Sequence, residues 1–245
     1  MDPSALPVSQ PAAHEASCTQ VACGVCAFNP LCHSPAASMG APSPVESRRR
    51  LAPGECLYHA RSPHASIYAV RAGFLKASVP GACGTAQVVR FLLPGDVAGL
   101  EGYAGGVHET DAVALGDCEV CEIPAYRAEI LSDFNPRIGA QLRRLLAQEL
   151  VAARASAASL ASRDVHERIG RFLVDLGRRW RGRGYSATRF RLPMSRRDIA
   201  SYLGLTPETL SRALSGFQAR GWIRLKGREL DLLEPAALAS PTGAR

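Results

Sequence analysis

The sequence predicts an α+β chain: an N-terminal antiparallel β-roll of cupin-like kind, one long helix, and a C-terminal winged helix-turn-helix. Three observations carry that prediction. Short apolar runs alternate with Gly and Pro turn signals from Leu51 to Pro124. An apolar stripe at helical spacing begins at Pro136. A capped helix, a glycine turn and a second capped helix lie in the last third, followed by a hairpin pattern.

At 245 residues the chain has room for two modest domains. It contains no run of about 18 uncharged apolar residues, so no membrane-spanning helix is expected. The N-terminus lacks the basic start and apolar stretch of a secretory signal. The expected compartment is the reducing cytoplasm, where eight cysteines point to metal or redox chemistry more than to disulfides. Charge is uneven. Residues 1–162 hold 12 Lys and Arg against 14 Asp and Glu, a net −2, whereas 163–245 hold 17 against 8, a net +9. A basic back half suits a polyanion partner; a solvated basic face is the alternative.

Residues 1–17, rich in Pro, Ala and Ser, read as disordered. Residues 18–50 hold the run Cys23-Gly-Val-Cys26-Ala-Phe-Asn-Pro-Leu-Cys32, then a linker that includes Arg48-Arg49-Arg50. Three thiolates this close have no local core to bury them, and they can converge on one metal centre. A closed zinc or iron–sulfur site needs a fourth ligand from elsewhere in the fold. Strands are expected at Ile67–Val70, Val88–Leu92 and Val120–Ile123, within a roll spanning 51–135.

Residues 136–163 read as a dimerisation helix whose stripe includes Ile138, Leu142, Leu145 and Leu150, with Ala153 among the small residues. A helix this long wants a partner, and a second copy of the chain is the simplest one. Packing on its own roll alone is the alternative. A second helix begins at Asp164 and ends near Arg181.

Residues 164–235 read as the DNA-binding domain, with 236–245 as a tail. Ser195 caps a helix burying Ile199, Ala200 and Leu203, Gly204 supplies the turn, and Thr206 and Pro207 open the second helix. Leu210, Leu214 and Phe217 face the core. Glu208, Ser211 and Arg212 lie at i, i+3 and i+4 on the other face, where Arg can pair with guanine and Glu with cytosine. Trp222–Leu225 and Glu229–Leu233 read as the wing. Arg196, Arg197, Lys226 and Arg228 are the candidate phosphate contacts, which position the protein rather than specify sequence.

The order of roll, long helix and winged helix-turn-helix resembles the Crp/Fnr superfamily of transcription regulators. The C-x2-C-x5-C run, Val120-Cys121-Glu-Ile-Pro124 and Asp198-Ile-Ala-Ser-Tyr-Leu-Gly-Leu-Thr-Pro-Glu-Thr-Leu-Ser-Arg212 resemble its oxygen-sensing FNR branch. The resemblance covers roughly residues 20–235. It implies that Cys23, Cys26, Cys32 and Cys121 hold a [4Fe–4S] cluster that O2 breaks down, weakening the dimer and its DNA binding. It also implies base reading by Glu208, Ser211 and Arg212 at a TTGAT-N4-ATCAA type site, and contact with RNA polymerase. Pro207 stands where the cAMP-receptor branch carries an additional base-reading arginine. The region Pro94–Leu115 contains no Arg, Lys or Ser, so no cyclic nucleotide phosphate partner is expected there. The family often carries an acid near the middle of the long helix; here the matching position is Ala153. The dimer without its cluster is therefore expected to persist more than in typical members.

Other thiols read as follows. Cys18 could replace Cys23 but breaks the spacing. Cys118 and Cys121, three apart on a strand, point to opposite faces, so Cys118 is expected to be a buried small residue. Cys56 and Cys83 read as ordinary thiols with no partner nearby. A four-cysteine zinc site and a constitutive DNA binder are the rival readings. The six histidines are scattered, no nucleophile–base spacing occurs, and an enzyme is not expected.

Overall fold

The computed structural model describes residues 24, 26, 28, 29, 43–81, 84–162 and 164–239. Cys18, Cys23, Cys32 and Cys83, and the segment 1–17 expected to be disordered, lie outside the described residues.

Eight strands form the roll: β1 (Ser47–Leu51), β2 (Cys56–Tyr58), β3 (Ser66–Ala72), β4 (Leu75–Pro80), β5 (Ala86–Leu92), β6 (Val97–Ala98), β7 (Asp111–Ala114) and β8 (Cys118–Pro124). They make two antiparallel sheets, ordered β1-β8-β3-β6 and β2-β7-β4-β5. Leu51, Leu57, Tyr68, Val70, Leu75, Leu92 and Val120 form one core of the roll. The turn between β3 and β4 needs Gly73. Its φ is +77°, and a Cβ there would lie 2.3 Å from the Asp117 carbonyl oxygen.

The Arg48–Arg50 run is not a linker. It lies in β1, paired with β8 in the register Arg48↔Cys121, Arg49↔Val120 and Arg50↔Glu119. Backbone groups make this pairing, so charged side chains do not prevent it, and arginines on an edge strand discourage further pairing. The Arg49 guanidinium sits 5.9 Å from the Tyr68 ring centroid.

The strands end at Pro124, where the β texture of the sequence ends, and the rest of the 51–135 unit is helical. Helix α1 (Ala125–Phe134) follows β8 directly. Asn135 then caps α2 (Pro136–Ala161), its side chain accepting from the Arg137 N–H at 3.0 Å with Pro136 in the first turn. At 26 residues α2 is about 39 Å long. Ile138 and Leu145 are buried, Leu145 against the roll, while Leu146, Leu150, Val151 and Leu160 are exposed. Arg90 of β5 pairs with Glu149 of α2.

Asp164 caps α3 (Val165–Arg181), accepting from the N–H groups of His166 and Glu167. Then come β9 (Arg189–Arg191), α4 (Arg196–Leu203), α5 (Pro207–Ala219), β10 (Ile223–Lys226), β11 (Glu229–Leu232) and α6 (Pro235–Ala239). The wing has three strands in the order β10-β11-β9. Residues 236–239 were expected in a tail, but they belong to α6, which packs on α3. Leu238 is fully buried, and a Cβ on Gly170 would meet its carbonyl oxygen at 2.0 Å.

The back half does not stand apart. Val88, Phe91 and Leu93 from the β5 region share a core with Ile169, Leu173, Leu176, Ile199, Leu210, Phe217 and Trp222. Among the described residues no helix is long and apolar enough to cross a membrane.

Candidate functional site

The helix-turn-helix is built from local signals. The Ser195 hydroxyl accepts from the Asp198 N–H at 3.1 Å, and the Asp198 carboxylate accepts from the Ser195 N–H at 3.1 Å, closing a capping box on α4. Gly204 ends α4 at φ 62°, and Arg168 Nη1 donates to the Leu203 carbonyl at 2.9 Å. The Thr206 hydroxyl accepts from the Thr209 N–H at 3.2 Å, with Pro207 at the start of α5. Leu210, Ala213, Leu214 and Phe217 bury one face of α5. Glu208, Ser211 and Arg212 are all exposed on the other. One helix thus presents a carboxylate, a hydroxyl and a guanidinium together, on a scaffold anchored by a fully buried Phe217.

Arg197, Lys226 and Arg228 are exposed, and Arg196 is half-buried. In the wing, Asp231 holds Arg189 at 2.8 Å and Arg224 at 3.5 Å. Among the described residues no acid pairs with Lys226 or Arg228, so their charges face solvent.

Sequence reasoning missed the fastening of this unit to the roll. Lys76 Nζ of β4 lies 2.6 Å from Asp198 Oδ1, on the capping residue of α4. The Val88 N–H donates to Ser201 Oγ at 2.9 Å, and the Gln87 amide to the Ser201 carbonyl. Asp96, in the turn between β5 and β6, accepts from Arg179 and from Arg183, each at 2.6 Å. Burial alone would raise the Asp96 pKa, but the two guanidiniums together with Arg90 hold it below its ordinary 3.8. Nothing local in the sequence announces these pairs.

The thiolate region has a definite seat. On β8, Cys118 and Val120 face the roll core of Leu51, Tyr68 and Leu75. Cys121 and Ile123 face a second core, formed by Phe28, Ile67, Ala69, Val97, Leu100, Ala128 and Leu145. Cys118 is buried, which raises its thiol pKa to about 12, the nearby Glu119 adding to the effect. A thiol so disfavoured as thiolate is a poor metal ligand. Cys26 and Leu142 pack against the same second core as Cys121. Phe28, two residues after Cys26, is 2% exposed, and the Asn29 N–H closes a turn on the Cys26 carbonyl at 3.0 Å. The structure thus brings Cys26 and Cys121 to one cluster that also contains Leu145 of α2. Cys23 and Cys32 are outside the described residues.

Cys56 is not without a partner: its Sγ lies 3.4 Å from His59 Nδ1. The sequence could not show the third member of that group, Asp111, which comes from β7.

The region Pro94–Leu115 folds around Glu101. The hydroxyls of Tyr58 and Thr110 donate to its Oε1 at 3.3 and 3.1 Å. His108, 2% exposed, stacks on Tyr58 at 3.7 Å between ring centroids. Burial works against the Glu101 charge, yet its neighbours His108 and Thr110 hold its pKa below the ordinary value. This part of the roll therefore carries an anion of its own.

Comparison with known proteins places two family matches on these units. A Crp-like helix-turn-helix domain matches residues 167–240, and a cyclic nucleotide-binding domain matches residues 48–131. The chain is 38% identical over 201 residues to the transcriptional activator protein anr of Pseudomonas aeruginosa, covering 82% of each chain. It is 35% identical over 199 residues to the fumarate and nitrate reduction regulatory protein of Escherichia coli, covering 81% of this chain and 80% of that one. Among solved structures it is similar to FixK2 from Bradyrhizobium japonicum. That match has a TM-score of 0.73 and 32% identity, over 78% of this chain and 94% of the other.

Proposed function

The chain belongs to the Crp/Fnr family of DNA-binding transcription regulators, and from that premise we propose that it is an oxygen-responsive member working as a homodimer. Cys23, Cys26, Cys32 and Cys121 would hold a [4Fe–4S] cluster. The donor set fits, because thiolates are the ligands such clusters take. The shared seat of Cys26 and Cys121 beside Phe28 supports the assignment most directly. When bound, the cluster supplies an O2-labile centre in the cytoplasm.

The chain's own residues connect that centre to DNA. Ligation at Cys26 would tether the segment that seats Phe28, and the same apolar seat receives Leu145 and Leu142 of α2. A seated α2 presents Leu146, Leu150, Val151 and Leu160, its exposed apolar residues, to the second copy. The dimer sets two α5 helices against two half-sites of a TTGAT-N4-ATCAA type palindrome. Glu208, Ser211 and Arg212 read bases, while Arg196, Arg197, Lys226 and Arg228 engage phosphates. RNA polymerase contacts follow once the dimer is on DNA.

Cyclic nucleotides have no role in this reading. The segment Pro94–Leu115 carries the Glu101 carboxylate and no Lys or Arg to pair with a cyclic phosphate. The direct test is cyclic AMP titration by calorimetry alongside anaerobic DNA binding. The reading expects no heat from the nucleotide and tight DNA binding without it. Nucleotide-dependent DNA binding would overturn it.

A further inference from the structure

One edge of the second sheet carries donors that DNA binding does not use. Cys56 opens β2, His59 is the first residue after it, and Asp111 opens β7, the strand paired with β2. Their Sγ, Nδ1 and carboxylate oxygen lie within 4.8 Å of one another. Cys56 Sγ stands 3.4 Å from His59 Nδ1, and the same Nδ1 stands 3.4 Å from Asp111 Oδ1.

Those edges have a physical meaning. Tetrahedral zinc, with Zn–S of about 2.3 Å and Zn–N and Zn–O of about 2.0–2.1 Å, sets S and N about 3.5 Å apart and N and O about 3.4 Å apart. The observed distances match both. They also converge on a single ring nitrogen. A thiol–imidazole–carboxylate relay needs the two different nitrogens of the ring, one for each partner. Sharing Nδ1 therefore disfavours a nucleophile and suits three ligands around a common cation.

The surroundings hold the donors in place. The Ala60 N–H donates to Asp111 Oδ1 at 2.8 Å. The Ser62 hydroxyl and N–H donate to the His59 carbonyl at 2.6 and 3.1 Å. Arg61 in this turn has φ 66°, the one positive φ of a non-glycine residue among those described. We propose that Cys56, His59 and Asp111 form a binding site for Zn²⁺ or a similar late first-row divalent cation, with water in the fourth position. A mixed S, N and O donor set selects such ions over Mg²⁺ and Ca²⁺. His59 is exposed, so the open position faces solvent. Burial, reinforced by Asp111, raises the Cys56 thiol pKa. A bound dication offsets both effects, and binding releases the thiol proton to solvent.

The site is independent of the N-terminal thiolates, and the test keeps the two apart. Co²⁺ serves as the coloured probe for zinc. The full chain carrying Cys23→Ser, Cys26→Ser, Cys32→Ser and Cys121→Ser is titrated with Co²⁺ under reducing, anaerobic conditions. One Co²⁺ per protomer is expected, with four-coordinate visible bands and a thiolate charge-transfer band, both displaced by Zn²⁺. Adding His59→Ala or Cys56→Ser should weaken binding by at least the roughly 10–100-fold that loss of an outer-shell partner costs. Charge transfer that survives Cys56→Ser, or no bound cobalt, overturns the proposal. Zinc content of the anaerobic wild-type chain gives a second readout: His59→Ala should remove one zinc per protomer without changing the iron content. Unchanged zinc there also overturns it.

Discussion

Replacing Asp96 by Asn should loosen the DNA-binding unit from the roll. The Asp96 carboxylate takes Arg179 and Arg183, each at 2.6 Å, and the Leu93 N–H at 2.8 Å. Removing one partner of a buried pair costs about 3–5 kcal/mol, because the other charge stays buried. Side-chain exposure is 17% for Asp96 and 12% for Arg183, but 28% for Arg179. Arg179 recovers some hydration, so the expected loss is about 2–4 kcal/mol, or about 4–16 °C in Tm for a chain of this size. Thermal unfolding followed by circular dichroism reads it. The pH dependence has a definite sign. Asp96 has a folded pKa below its ordinary 3.8. Its contribution is therefore complete above the unfolded value and fades as pH falls through the folded one. The gap between wild type and Asp96→Asn should be full at pH 7 and shrink below about pH 4. Asp96→Asn and Arg183→Gln should couple by about 0.5–3 kcal/mol in a double-mutant cycle. An unchanged Tm with additive single effects would refute the reasoning.

Other predictions concern the remaining links. Arg212→Ala should cost about 1–3 kcal/mol of affinity for a guanine-containing half-site and relax selectivity there, read by anisotropy across mismatched duplexes. Lys226→Ala should weaken binding almost equally on all sequences and lower the salt slope by about 1. Gly170→Ala sets a Cβ against the Leu238 carbonyl and should destabilise the back half by about 1–3 kcal/mol, seen in denaturant unfolding. Residues 150–163 contain no acid, and Glu149 is already paired with Arg90, so the chain in air should sediment largely as a dimer. Ala153→Asp should convert it to a monomer; a clean wild-type monomer at micromolar concentration would contradict this.

What could be read from the sequence was whatever short-range chemistry encodes. Ser195 with Asp198, Gly204, and Thr206 with Pro207 are caps and turns whose signals lie within a few residues. The structure uses each of them in that way. The same holds for Pro136 at the head of α2, although its Asn135 cap was not read from the sequence. Strand period placed Cys118 and Cys121 on opposite faces without any knowledge of partners. The errors share a cause. Arg48–Arg50 reads as a charged linker because its strand character comes from β8, which is distant in sequence. Residues 236–239 read as a tail because the pocket for Leu238 is made by a glycine on α3. Lys76 with Asp198, Asp96 with Arg183, and Cys56 with Asp111 are all set by topology. No local pattern brings such pairs together.

The central claim is that the thiolate centre governs DNA binding. It is tested by purifying the chain anaerobically and following its visible spectrum and its affinity for a TTGAT-N4-ATCAA duplex before and after air. The account predicts brown protein whose colour and DNA affinity fall together. Bleaching with affinity intact, or a colourless protein holding zinc at Cys23, Cys26, Cys32 and Cys121, would contradict it.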